Sequence, residues 1–409
     1  MASIGGVSVA SLVEQFGSPL YVYDLETIRA QFHKMQSAFK DFNHSIHFAV
    51  KSMNNISILR FINGLGACAD TVSVEEIETA LKAGFTPSQI IFTPSGPSHA
   101  DIDFALSRQI MITVDNLDGL EYIGQKYGAT AAVSIRINPE VFAGGDDKIS
   151  VAGKESKFGL AMSSMDTAKA IAAKYNTKIV GLHIHTGSDI SSSSDYFEAV
   201  DNLIKVASTF ETLDFLDLGS GFKVIYNPEN PEDHETDLVE YGQRIKAIHD
   251  QMKSHFKNDK FQMKFEPGKY IVCSSGHLVI TANVVKETNG VNFVIVDSGL
   301  NHLIRPMMYA KAYHKITNAT NIEGPKTEYN VCGYICETDT FGSNRLLHKV
   351  SPGDQLIIHN AGAYGMTMAS NYNCKPRPAE VAVLSGKATL VRRRETFEEI
   401  IHTQVIVDL

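Results

Sequence analysis

The sequence predicts an α/β protein: a (β/α)8 TIM-like barrel with a second, mostly β C-terminal domain. Three observations carry that prediction. From about residue 45 to about 268, short β-branched runs alternate with amphipathic stretches of helical length, the pattern of parallel strands joined by crossover helices. After about residue 272 the strand-like runs continue but the long helical stretches stop, which marks a β-rich domain. An open doubly wound sheet competes for the first part, but no G-x-G-x-x-G follows the first strand, which counts against a dinucleotide-binding sheet.

The barrel strands are expected at 46–50, 67–70, 90–93, 111–114, 132–137, 179–184, 215–218 and 262–265. Helices fall between most of them, at 73–83, 98–107, 117–127, 163–174, 194–210 and 236–253. The first of these opens at Ser73 with Glu76 three residues on, a capping box, and closes at Gly84, a C-cap signal. In the second domain the strand signals are 279–285, 293–297, 327–332, 354–358 and 380–384. Leu20-Tyr21-Val22-Tyr23 carries a strand signal ahead of the barrel and is a candidate partner for the C-terminal strands. The expected division is therefore a barrel over 30–272 and a β-rich domain from 1–29 plus 273–409.

Bulk properties narrow the function. The chain has 409 residues, 44% hydrophobic and 20% charged, with a formal net charge of -9, an ordinary globular balance. With no long basic run, nucleic acid and anionic membrane are poor partners, which leaves a small-molecule substrate. The five cysteines are scattered and odd in number, unlike a disulfide framework. Cys332 and Cys336 have no second pair at zinc-site spacing. The start of the chain lacks a signal-peptide pattern, and no apolar run approaches a membrane span. A cytoplasmic protein is the expectation.

Catalytic residues of such barrels sit at the C-terminal ends of strands. The first strand ends in Phe48-Ala49-Val50-Lys51. A lysine there is either a solvated strand end or an amine depressed by burial so that it attacks a carbonyl. The sixth strand runs into His183-Ile184-His185, whose two imidazoles share one face. They are core histidines, a metal pair lacking an obvious third ligand, or a stacking platform for a planar ring. The seventh strand ends in Gly219-Ser220-Gly221, where backbone N–H groups can approach an anion, and barrel phosphate sites use the loops after strands seven and eight. The eighth ends in Glu266-Pro267-Gly268-Lys269. Glu266 is either a turn residue or a carboxylate that keeps a pyridine nitrogen protonated. An amine, an imidazole, an anion cradle and a carboxylate on one rim together describe a pyridoxal 5′-phosphate (PLP) site without a metal.

These residues resemble the barrel-fold (fold type III) PLP-dependent decarboxylases, and most closely those acting on diaminopimelate. The resemblance runs along nearly the whole chain: Pro19-Leu20-Tyr21-Val22-Tyr23-Asp24, Phe48-Ala49-Val50-Lys51, Asp70-Thr71-Val72-Ser73, Lys157-Phe158-Gly159, His183-Ile184-His185-Thr186-Gly187-Ser188 and Glu266-Pro267-Gly268. It implies that Lys51 carries the cofactor covalently, His185 stacks on its ring, Ser188 and Gly219-Ser220-Gly221 lie near its phosphate, and Glu266 pairs with the pyridine nitrogen, with Gly268 beside it. In the C-terminal domain, Arg305-Pro306 with Tyr309, Cys336-Glu337-Thr338-Asp339, and Ala361-Gly362-Ala363-Tyr364-Gly365-Met366 resemble more specific motifs. They imply that Arg305, Tyr309 and Lys269 hold the substrate's distal carboxylate and Glu337 its distal ammonium. Cys336 and Glu337 would serve the partner subunit's site in a homodimer, and Tyr364 would approach phosphate and substrate.

The chain departs from the family where its G-G-G-x-G loop reads Gly219-Ser220-Gly221-Phe222 and where an arginine is replaced by Lys269. Lysine keeps the charge but loses the bidentate fork. The implied reaction is decarboxylation of meso-2,6-diaminopimelate to L-lysine and carbon dioxide, with Cys336 or Lys51 as proton donor. An arginine at 305 suits a second substrate carboxylate. The alternatives are a decarboxylase of the same fold acting on ornithine, arginine or carboxynorspermidine, a racemase on a similar barrel, and a binding-only homologue that has lost the cofactor.

Overall fold

A computed structural model describes residues 2–141, 153, 156–190 and 192–409. Eight parallel strands close into a barrel: β1 (His44–Ala49), β2 (Cys68–Thr71), β3 (Ile90–Phe92), β4 (Met111–Val114), β5 (Ala132–Asn138), β6 (Lys178–His183), β7 (Phe215–Asp217) and β8 (Gln262–Phe265). Each pairs with the next, and β8 returns to β1. The fold class expected from the sequence is therefore the one observed.

The strands are buried over most of their length, and most are followed by a helix with a side-chain cap at its start. Ser73, Ser98, Asn116, Ser192 and Asp237 cap helices Val74–Ala83, His99–Ser107, Leu117–Tyr127, Ser193–Ala207 and Leu238–Phe256 by accepting a backbone N–H in the first turn, which satisfies donors the helix itself cannot. The capping box expected at Ser73 is only half formed. Ser73 accepts from Glu76 N at 3.1 Å, but the Glu76 carboxylate reaches Val72 N at 2.8 Å, one residue earlier. Gly84 closes this helix at φ 103°, as expected. A helix the periodicity left unassigned, Ile56–Gly64, follows β1; Asn55 caps it, and Ile58, Leu59 and Ile62 are its buried face.

The chain divides into two compact units, 31–224 with 234–270, and 1–30 with 225–233 and 271–409. Segment 225–233, which the sequence reading left inside the barrel, clusters with the β-rich unit. In that unit Leu20–Asp24 lies between Gly276–Thr288, antiparallel, and Ala379–Leu384, parallel. The N-terminal strand signal thus finds its partners at the far end of the sequence. The long strand Gly276–Thr288 also pairs with Gln355–Ile358 and Val291–Val296. Leu20, Val22, Val279, Ile357, Val381 and Val383 form its core with Ile4, Val9 and Leu12. Fully burying such side chains contributes about 1.5–3 kcal/mol each. Two edge strands, Thr340–His348 and Lys387–Arg392, had no clear signal, because edges tolerate polar and charged residues. Among the described residues no helix is long and apolar enough to cross a membrane.

Candidate active site

Backbone hydrogen bonds hold the strand ends of the barrel rim together. Ile184 N donates to Asp217 O at 3.0 Å, Glu266 N to Gly219 O at 2.7 Å, and Ala49 N to Pro267 O at 3.1 Å. These bonds lock the ends of β6, β7, β8 and β1 in one register. Alternation then turns residues of one parity on each strand toward the barrel interior, where they stack in layers.

Lys51 follows β1 in a turn of 3-10 helix, Val50–Ser52, with its side chain about a third exposed, and its Nζ lies 3.8 Å from Asp70 Oδ2 at the end of β2. Asp70 is buried and also accepts a short hydrogen bond from the Thr93 hydroxyl. Across the layer the buried pair His183 and Glu266 meet, Nε2 to Oε2, at 3.1 Å. Burial and the neighbouring Asp70 push the Glu266 carboxyl up to about 8. Burial and Glu266 push Asp217 up to about 7. Burial pushes His183 down to about 4, so its imidazole is neutral. Arg136 at the end of β5 is buried beside these acids and lies 4.7 Å from the centroid of the Phe158 ring, which gives the Lys157-Phe158-Gly159 segment a packing role.

His185 lies just past β6. Its Nδ1 accepts the Ser220 N–H at 3.3 Å, and burial with the cations Lys51 and Arg136 keeps it neutral. Gly219 (φ 61°) and Gly221 (φ 108°) are required as glycine: a Cβ at 219 would stand 2.5 Å from Ile184 O and 2.7 Å from His185 Nδ1, and one at 221 would stand 2.7 Å from Gly187 O. The next residue, Phe222, anchors this loop in an aromatic cluster, with ring centroids 5.8 Å from Tyr241, 6.2 Å from Tyr270 and 6.4 Å from Phe39 and Phe265. Two of the cradle's N–H groups are committed within the barrel, Ser220 N to His185 and Gly219 N to Asp217 Oδ1 at 3.0 Å. Ser188 is half-buried after Gly187, and Gly268 lies where a Cβ would meet Ser52 Oγ at 2.7 Å. Lys269 is buried and ion-paired to Asp189 at 2.6 Å, a carboxylate the sequence reading did not single out.

The other expected site residues belong to the β-rich unit. Arg305 is buried in the short helix Arg305–Met308, its guanidinium carbon 5.6 Å from the Tyr309 ring centroid and 5.0 Å from that of Tyr226. Tyr226 comes from segment 225–233 and no motif announced it. Cys336 and Glu337 are exposed on one turn. Asn373 Nδ2 donates to Cys336 Sγ at 3.5 Å, and the Tyr372 hydroxyl donates to Glu337. Asp339 in the same segment is buried and accepts the Leu300 and Ile335 N–H groups at 2.7 and 2.9 Å, so it shapes the turn. Tyr364 is half-buried with φ 55°, a conformation a bulky residue adopts only when its surroundings impose it.

The barrel rim suits PLP. Glu266 Oε1 is buried with no hydrogen-bond partner among the described residues, and a protonated ring nitrogen would supply one. The amine, the imidazole and a cradle closed to any Cβ stand on the same rim. Sequence reasoning set a metal aside for want of a third ligand beside the two histidines; the fold in fact brings Asp217 and Glu266 to His183, with ligand atoms within 4.8 Å of one another. Asp217 accepts the Gly219 N–H, His183 Nε2 meets Glu266, and the cations Lys51, Arg136 and Lys264 act on these acids. Asp70, Arg136, His183 and Asp217 were findable in advance: each is a polar residue at inward parity near the end of a barrel strand.

A closed parallel barrel with this rim defines a pyridoxal-dependent barrel enzyme, and residues 25–273 match the family of pyridoxal-dependent decarboxylases through its pyridoxal binding domain. The diaminopimelate decarboxylase of Methanothermobacter thermautotrophicus is 33% identical over 409 residues, covering 98% of this chain and 95% of that protein. That of Aquifex aeolicus is 36% identical over 411 residues, covering 97% and 94%. The crystal structure of Helicobacter pylori diaminopimelate decarboxylase complexed with L-lysine superposes with a TM-score of 0.88 at 33% identity, covering 96% of this chain and 98% of that one. The chain belongs to the diaminopimelate decarboxylase family.

Proposed function

We propose that this protein decarboxylates meso-2,6-diaminopimelate to L-lysine and carbon dioxide, the last step of lysine biosynthesis, with PLP as cofactor. The observation that carries this reading is the barrel rim on which the part-exposed Lys51 and His185 and the buried Glu266 stand, joined with diaminopimelate decarboxylases as relatives along nearly the whole chain. Bound at the rim, PLP supplies a conjugated sink for the electron pair released as carbon dioxide leaves.

The chain's own residues do the rest. Lys51 Nζ would hold the cofactor covalently. Glu266 holds a proton on the ring nitrogen through the carboxylate oxygen not used by His183. His185 supports the ring face. The Gly221 N–H, the Ser220 and Ser188 hydroxyls, and Tyr364 receive the phosphate, with Gly268 keeping the floor of the site open. Arg305 is assigned to the distal carboxylate through its planar fork, as are Tyr309 and Lys269, and the Asp189 carboxylate holds the Lys269 ammonium. Glu337 takes the distal ammonium, and Cys336 or Lys51 returns the proton. We assign Cys336 and Glu337 to the site of a partner subunit in a homodimer, and the protein to the cytoplasm. The barrel is assigned to 30–272, and 1–29 with 273–409 to the domain that completes the site.

Carbon dioxide release from meso-diaminopimelate, ornithine, arginine and carboxynorspermidine tests the reading. We expect meso-diaminopimelate to be turned over with the highest kcat/KM. Faster release from any of the other three would overturn the substrate assignment.

A further inference from the structure

The imidazole of His183 lies outside the roles assigned above. It is fully buried at the end of β6, its Nε2 is 3.1 Å from Glu266 Oε2, and its Nδ1 has no hydrogen-bond partner among the described residues. We propose that His183 is a positioning residue that keeps Glu266 ionised and aims its other oxygen at the cofactor's ring nitrogen. The inference rests on the reading that Glu266 pairs with that nitrogen.

The argument is one of donors and charge. With the cofactor bound and Glu266 ionised, the carboxylate only accepts hydrogen bonds, so a neutral imidazole facing Glu266 Oε2 must then present Nε2–H. That leaves Nδ1 bare, as the absence of a donor beside it allows. Glu266 needs this help because acids crowd it: Asp70 and Asp217 face it from β2 and β7, opposed by Lys51, Arg136 and Lys264. Burial and like charge drive Glu266 toward its neutral form, in which it cannot hold a ring proton. A hydrogen bond to a charged partner in a buried site is worth about 1.5–3 kcal/mol, tenfold or more in an equilibrium. His183 donates such a bond and occupies one oxygen, leaving Oε1 for the ring.

The test uses holoenzyme reconstituted with PLP labelled with nitrogen-15 in its ring, whose resonance reports directly whether that nitrogen is protonated. We expect wild type to hold the proton through the neutral range. His183→Leu should release it at lower pH and weaken PLP binding about tenfold. His183→Gln, whose amide can still donate, should restore both. An unshifted titration in His183→Leu overturns the inference. Should that variant fail to fold, nitrogen-15 spectra of histidine-labelled wild-type holoenzyme decide the matter. An Nε2–H tautomer at His183 is expected, and an Nδ1–H tautomer or an imidazolium overturns the inference. Glu266→Gln separates the two layers of argument. If it leaves the ring nitrogen protonated, the assignment of Glu266 itself falls. If it releases the proton while His183→Leu does not, only the role of His183 falls.

Discussion

Lys51 is the amine on which the proposed chemistry depends. The Asp70 carboxylate that faces it is itself anchored by Thr93. Lys51→Ala is expected to abolish turnover and the visible absorbance of lysine-bound cofactor together, and absorbance that survives would remove Lys51 from its assigned role. The acids across the layer set a pH signature. Glu266 loses its proton near 4.5 in the unfolded chain and at about 8 when folded; for Asp217 the values are 3.8 and about 7. Between these limits the folded state holds more protons than the unfolded one, so rising pH erodes the stability of the cofactor-free protein. Thermal melts of cofactor-free protein should show Tm falling as pH rises through that window, and Glu266→Gln should flatten the decline. Identical slopes in the two proteins would show that Glu266 is not the source. Arg305→Ala should raise KM for diaminopimelate about 10–100-fold, the loss of a charge-assisted contact, while the affinity for PLP stays nearly constant. An unchanged KM would take Arg305 out of the substrate site.

At the scale of elements, the loop proposed to receive phosphate owes its shape to what lies behind it. Phe222 ties Gly219–Gly221 to an aromatic cluster from β8, from Phe39 and from Tyr241 on helix Leu238–Phe256. Phe222→Ala should cost about 3–5 kcal/mol of stability and also weaken PLP binding, measured by denaturant unfolding and cofactor titration. A variant destabilised without any change in cofactor affinity would uncouple loop from cluster. The barrel strands were legible because β-branched runs alternate with helical periodicity, and the residues proposed for the site were singled out because strand ends in such barrels carry the catalytic groups. Helix Ile56–Gly64 was not, being nine residues announced only by Asn55. Nor were Asp189 and Tyr226: one acts through an ion pair with Lys269, the other lies under Arg305. Both are contacts between residues distant in the chain that no local pattern encodes. The edge strands escaped for the opposite reason, since one exposed face relaxes the hydrophobic alternation a reader relies on.

For the whole molecule, the assigned dimer with shared sites makes a testable demand. Lys51→Ala and Cys336→Ala proteins, inactive or crippled alone, should recover roughly a quarter of wild-type activity when mixed and exchanged, because random pairing leaves some sites intact. No recovery would place both residues in one subunit's site. The placement of Leu20–Asp24 between Gly276–Thr288 and Ala379–Leu384 has a consequence for how the molecule is made. A ribosome delivers the first of these strands hundreds of residues before the last. During synthesis the barrel strands emerge and can close on one another while the early strand waits without its parallel neighbour. The sheet it belongs to is finished only once residues 379–384 have been made, so a chain stopped before residue 379 keeps an open, adhesive edge along Leu20–Asp24.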